Sequence, residues 1–122
     1  MRWHPAQSPR RGEIVRVRLG PVEGSEQVGE RPVLVISPDL INENSPVILV
    51  AACTTQKVDR VYPFEALIEA GEGGLKRRSK VLLMQLRAID KRRIIGACGQ
   101  IRAETMKKVK DALAVATGLI RI

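Results

Sequence analysis

Arg31 and Thr54 are the two residues of this sequence best suited to hold a phosphate. A guanidinium is planar, permanently charged and forks onto two phosphate oxygens. A threonine hydroxyl donates one further hydrogen bond. The two are far apart along the chain, but the chain between them reads as a hairpin. Residues 38–46 (PDLINENSP) contain Pro, Asp, Asn and Ser, which turn a chain. The flanking runs, 32–37 and Val47–Thr54, are rich in β-branched residues. A hairpin centred between Asn42 and Glu43 opposes Ser37 to Ile48, Pro32 to Cys53 and Arg31 to Thr54. Directly opposed residues have Cβ atoms about 4.5–5.5 Å apart, and a shift of one residue would turn the pair to the other face. Pro32 biases Arg31 to an extended backbone and suits a strand start. Spacing alone leaves a second reading open: Arg31 makes a rim salt bridge to Asp59 or Glu30, and Thr54 only ends a strand.

The elements that must carry this pair are mostly strands. Residues 12–19 alternate, with Val15, Val17 and Leu19 on one side and Arg16 and Arg18 on the other. Segments 62–68 and 80–89 flank Gly71, Gly73 and Gly74, which mark a turn, and 94–101 reads as a last strand. Short strands at this spacing predict a small antiparallel barrel. From Ala103 the period changes: Met106, Val109, Leu113, Ala116 and Ile120 recur at steps of three and four, one face of a C-terminal helix. Lys107, Lys108, Lys110 and Asp111 occupy the opposite face. Residues 1–10 hold two prolines without periodicity and are expected to form a flexible tail, leaving 11–122 as one domain.

Composition narrows the chemistry. The 122 residues carry a formal net charge of +8, a surplus that favours polyanionic partners. It is unevenly spread: residues 76–93 hold eight basic and one acidic side chain, whereas 23–75 hold three and nine. Trp3, Tyr62 and Phe64 are the only aromatic residues, too few for the modules that hold bases on several rings. His4 is the sole histidine, which excludes a two-histidine acid–base nuclease within one chain and a His-rich metal site. Cys53 and Cys98 lie in apolar runs and read as reduced core residues. No apolar stretch follows the N-terminal arginines, and the longest apolar run, residues 47–53, is far short of the roughly 20 residues of a membrane span. A cytoplasmic protein without a membrane segment is expected.

Around these residues the sequence resembles the MazF/PemK family of toxin endoribonucleases. The likeness runs through Arg11, Gly12 and Glu13, the string Gly24, Ser25, Glu26, Gln27, then Gly29, Glu30, Arg31, Pro32, and Ser37, Pro38, Asp39. It continues in Thr54, Thr55, Gln56, in Tyr62, Pro63, Phe64, in Gly74, Leu75, and in Val81, Leu82, Gln85, Arg87, Ile89, Asp90. The string GSEQxGxRP followed by TTQ is its specific part. The first strand departs from the family, with Arg16 and Arg18 where an aromatic and acidic pattern is common.

The resemblance implies a small SH3-like antiparallel barrel of the CcdB/MazF kind with a helix, assembled as a homodimer. It implies sequence-specific, metal-independent cleavage of single-stranded RNA, chiefly mRNA, with no cofactor, and an acidic antitoxin partner. Its catalytic pair falls on Arg31 and Thr54. RNA contacts carry over to Ser25, Glu26 and Gln27 in the Gly-bounded loop, to Gln56, and to Gln85 and Arg87, whose amide and guanidinium suit base edges and phosphates. The implied reaction is attack of the ribose 2′-OH on the adjacent phosphorus, giving a 2′,3′-cyclic phosphate (or 3′-phosphate) and a 5′-OH end. Two other classes share parts of this pattern: a gyrase-poisoning toxin of the CcdB type, and a non-catalytic barrel that binds nucleic acid by charge.

Overall fold

The computed structural model describes residues 8–19 and 29–121. Six strands form one antiparallel sheet: β1 Glu13–Leu19, β2 Gly29–Val35, β3 Val47–Thr54, β4 Glu65–Ile68, β5 Ser79–Asp90 and β6 Ile94–Gln100. Two helices accompany them, α1 Asp39–Asn44 and α2 Ala103–Ala116. The strand order is β4-β5-β3-β2-β1-β6. The expected class, mostly β with a C-terminal helix, is the one found.

The sheet has to curl. From β5 to β6 there are four inter-strand steps, about 19 Å across a flat sheet. Yet only the 3₁₀ turn Lys91–Arg93 joins the two strands, and the chain from Asp90 to Ile94 reaches at most about 14 Å. The turn bridges opposite sides of the sheet: the Lys91 amide donates to the Pro46 carbonyl at 2.9 Å, and Arg93 Nη1 to the Arg18 carbonyl at 3.4 Å. The result is a partly open barrel with apolar residues buried on both sides of its central strands. Val15, Val17, Val33, Val35, Ile48, Val50, Ile89 and Ile94 fill one side. Ile14, Leu34, Ala51, Cys53, Val81 and Leu83 line the other, covered by Val109 and Ala112 of α2. Burial on both sides is why β2 and β3 read as continuous apolar runs rather than alternations.

The segment 38–46, expected as a turn, contains the short helix α1. Its Asn42 is fully buried, accepts from the Ser37 hydroxyl at 2.6 Å and donates to the Ser37 carbonyl at 2.9 Å. The Ser37 hydroxyl oxygen in turn accepts the Leu49 amide at 3.0 Å. This network locks the β2–β3 register. The observed pairs are Val33 with Ala52, Leu34 with Ala51 and Val35 with Val50, the register the hairpin reading predicts.

Several boundaries differ from the sequence reading; β2, expected over 32–37, spans Gly29–Val35. The strand expected from residue 62 begins at Glu65. Ile120 does not continue the α2 stripe: the helix ends at Ala116, Gly118 takes a φ of 75°, and Ile120 is 47% exposed. Met106, Val109, Leu113 and Ala116 do pack on the core, with Thr105 and Ala112 buried beside them. The tail expected over 1–10 lies outside the described residues for 1–7, while Pro9 is buried. Cys53 is buried, Cys98 half-buried, and both are free thiols.

Helix α2 has no side-chain cap of its own. A carboxylate from the 3₁₀ turn Glu72–Gly74 lies at its N-terminus, with Glu72 Oε2 accepting the amide of the N-cap residue Arg102 at 2.9 Å. Burial alone would raise the Glu72 pKa, but hydrogen bonds from Thr105 and from the Arg102 amide, with the Arg102 charge, hold it below its ordinary value. A carboxyl lowered in the folded state stabilises above its unfolded pKa, and that contribution is lost as pH falls through the folded value. Glu72→Gln therefore lowers the melting temperature at pH 7, and the gap from wild type narrows progressively below about pH 4.5 in thermal unfolding followed by circular dichroism.

Candidate active site

The candidate site forms where β2 and β3 part. The Val35 carbonyl accepts from Gly12 on the β1 side, and the Ile36 amide donates to Leu49 on the β3 side, both at 2.9 Å. Backbone groups alternate sides along a strand, so residue 32 faces β3 with its N–H position. Pro32 has no N–H. The β2–β3 ladder accordingly stops at Val33–Ala52, and beyond it the strands leave a cleft of about 540 Å³ lined by Gly29, Glu30, Arg31, Pro32, Cys53, Thr54, Thr55 and Gln56.

Extending the register by two residues opposes Arg31 to Thr54 on one face. Both are half-buried, and both line the cleft. Thr54 ends β3, and its Oγ1 accepts the Gln56 amide at 3.1 Å. That contact uses a lone pair and leaves the hydroxyl proton available for a ligand. It also fixes where Gln56, exposed at the cleft lip, leaves the strand.

The rim salt bridge that spacing left open is not formed. Glu30 pairs instead with Arg16 at 2.6 Å and Arg18 at 3.7 Å. Arg16 and Arg18 stand opposite Pro32 and Glu30 across β1–β2, on the other face from Arg31. Among the described residues no ion pair includes Arg31. The cleft thus presents one guanidinium, two hydroxyls and an amide, and its one carboxylate is drawn toward other arginines. In chemistry this set suits a phosphodiester: a cation can meet the charge and neutral donors can meet the remaining oxygens. Among the described residues no three His, Cys, Asp or Glu side chains converge as metal ligands.

The other sequence candidates are dispersed. Gln85 and Arg87 are exposed on β5, outside the cleft lining. Arg87 stands opposite Val50, and Gln85 ends a bulge in which Leu82 to Gln85 face the single residue Ala52. Ser25, Glu26 and Gln27 lie outside the described residues. Sequence reasoning missed the parting of the strands, because only the Ile36–Leu49 hydrogen bond shows that residue 32 faces β3.

Comparison with known proteins finds relatives of the chain as a whole. A family model for PemK-like, MazF-like toxins of type II toxin–antitoxin systems matches residues 10–117. Endoribonuclease EndoA of Bacillus subtilis (strain 168) is 42% identical over 111 residues, covering 91% of this chain and 96% of that protein. A MazE–MazF crystal structure from Deinococcus radiodurans matches with a TM-score of 0.76 at 28% identity, covering 93% of this chain and 99% of the other. A mycobacterial endoribonuclease in complex with its cognate antitoxin is alike in fold, with a TM-score of 0.79 at 24% identity over 94% of this chain and 100% of that one. No helix among the described residues is long and apolar enough to cross a membrane.

Proposed function

This chain belongs to the PemK-like, MazF-like toxins of type II toxin–antitoxin systems and is an endoribonuclease; on that premise we propose that Arg31 and Thr54 together carry its RNA cleavage. The single observation behind this reading is the cleft that both line at the open end of the β2–β3 hairpin. The ribose 2′-oxygen attacks the adjacent phosphorus, a P–O2′ bond forms and the P–O5′ bond breaks. The 2′-OH proton passes to solvent water, and the leaving 5′-oxygen takes one from solvent water, so no net proton is gained or lost. Products are a 2′,3′-cyclic phosphate, or its 3′-phosphate hydrolysis product, and a 5′-OH end. The planar Arg31 guanidinium acts as a fixed charge on the phosphoryl oxygens as they gain negative charge. Thr54 donates to a second oxygen and holds the phosphate for in-line attack.

The substrate is single-stranded RNA, chiefly mRNA, and the chemistry needs no metal. Gln56 at the cleft lip reads a base edge or a phosphate, and Gln85, Arg87, Ser25, Glu26 and Gln27 extend the contact. The protein works in the cytoplasm as a homodimer, and an acidic antitoxin segment neutralises it by competing for the same basic groove. The net charge of +8 supports both polyanionic partners, and relatives in this fold occur as MazE–MazF and toxin–antitoxin complexes.

The deciding experiment incubates the protein with a long RNA in EDTA and maps the ends. Cleavage is expected to persist, leaving cyclic phosphate and 5′-OH termini. One 2′-deoxyribose 5′ of the cut is expected to abolish that cut; continued cleavage there, or an absolute need for Mg²⁺, overturns the mechanism. Thr54→Val removes the donor at constant size and slows single-turnover cleavage by roughly 10–100-fold, the worth of one hydrogen bond to a charged group. Thr54→Ser keeps the rate within a few-fold.

A further inference from the structure

Lys80 is a buried ammonium that the cleavage chemistry does not use. It is 4% exposed and donates to Glu65 Oε1 at 2.8 Å and to the Arg60 carbonyl at 2.9 Å. The Tyr62 ring centroid lies 5.9 Å from its Nζ. A buried ion pair adds little net stability over apolar residues of similar volume, because desolvating both charges offsets their attraction. Its significance here is what it fixes in place.

Lys80 stands directly opposite Thr54 in the β3–β5 ladder. The bulge at Leu82 to Gln85 separates this pair and Cys53–Val81 from the rest of the ladder. From Thr54 the chain leaves the sheet through Gln56 and Lys57, whose φ of 53° turns it back, and the Arg60 amide bonds to the Lys57 carbonyl at 3.2 Å. The returning limb is held by Lys80 through the Arg60 carbonyl and through Glu65, whose Oε1 also accepts the Tyr62 amide at 3.1 Å. Both limbs of the loop that forms one wall of the cleft therefore meet at a single residue.

We propose that Lys80 is a positioning residue for RNA cleavage: its ammonium clamps the loop over residues 55–64 to β5 and so holds the Thr54 hydroxyl and Gln56 at the spacing from Arg31 that the scissile phosphate requires. The proposal rests on the reading of Arg31 and Thr54 as the reacting pair. Without the ammonium, the Arg60 carbonyl and the Glu65 carboxylate lose their buried donor. The limb then relaxes toward water and the Thr54 wall moves with it. A misplacement of about 1 Å at a reacting group costs on the order of 10²-fold in rate.

The test is a double-mutant cycle on single-turnover cleavage of a short RNA with one cleavable linkage, with folding checked by circular dichroism. Lys80→Met is expected to slow the cleavage step by about 10–100-fold, while affinity for the 2′-deoxy analogue changes by less than about threefold and Lys80→Arg restores most of the rate. In a Thr54→Ala background, Lys80→Met is expected to cost less than about twofold more, because it acts through the lost hydroxyl. Independent, multiplying losses overturn the proposal, as does a wild-type rate for Lys80→Met when Thr54→Ala is crippled. A wild-type rate for Thr54→Ala itself sinks the catalytic reading along with the clamp. If Lys80→Met does not fold, Glu65→Gln carries the test. It is expected to speed hydrogen exchange at the Gln56 amide by about tenfold and to slow cleavage; an unchanged exchange rate overturns the clamp.

Discussion

Arg31→Ala lowers the single-turnover rate of RNA cleavage by about 10²–10³-fold, the usual cost of removing one preorganised group aimed at developing negative charge. The loss falls on the chemical step. Charge builds on the phosphoryl oxygens as the 2′-oxygen bonds to phosphorus, and Arg31 meets it from a half-buried position in the cleft, where water screens less than at the surface. Affinity for an uncleavable 2′-deoxy RNA drops far less, by under about tenfold, because the other basic residues still hold the backbone. Arg31→Lys keeps a charge but loses the fork that grips two oxygens, so it recovers only part of the rate. Melting temperature stays within about 2 °C, since among the described residues Arg31 makes no ion pair that its removal would break. Equal losses in rate and in affinity would mean that Arg31 only binds RNA.

The opposition of residues 31 and 54 is legible in the sequence because a hairpin register is written locally. The turn residues at 38–46 and the β-branched runs beside them leave few ways to pair, and the observed pairs follow the simplest one. The helix inside that turn was not legible. It depends on Asn42 being drawn into the core by Ser37, a contact that exists only once β3 lies alongside. The late start of β4 has a similar origin: the Lys80–Glu65 pair holds residues 60–64 off the ladder. The β5 bulge that separates Gln85 from a regular strand follows from pairing against both β3 and β4, and no alternation in the sequence marks it. The end of α2 was legible and was misread through the apolar stripe: Gly118 is the helix-stop residue that the periodicity at Ile120 overrode. Curling of the sheet needed both the strand order and the shortness of the Lys91–Arg93 connection, and only the second is visible in sequence.

Gly74→Ala destabilises the domain by more than about 3 kcal/mol, the class of loss seen when tightly packed groups have no room to adjust. Gly74 has a φ of 75°, and an added Cβ would lie 2.2 Å from the Cys98 carbonyl oxygen and 2.6 Å from its carbon. Those are backbone atoms of β6, so no rotamer change relieves the clash. The approach is mutual, because a Cβ at Gly99 would lie 2.7 Å from the Gly73 carbonyl carbon. The turn that follows β4 thus packs backbone to backbone against β6, at an edge of the sheet where no ladder joins them. Gly71→Ala is the matched control. It also has a positive φ, 93°, but nothing lies within 4 Å of its added Cβ, so it costs only the left-handed backbone penalty of about 1–2 kcal/mol. Thermal unfolding should separate the two, with Gly74→Ala lowering the melting temperature by about 10 °C or more and Gly71→Ala by roughly half that. At a temperature where both remain folded, their cleavage rates are expected to match wild type, because neither glycine lines the cleft. A Gly74→Ala protein as stable as Gly71→Ala would mean that β6 and the turn are not in contact.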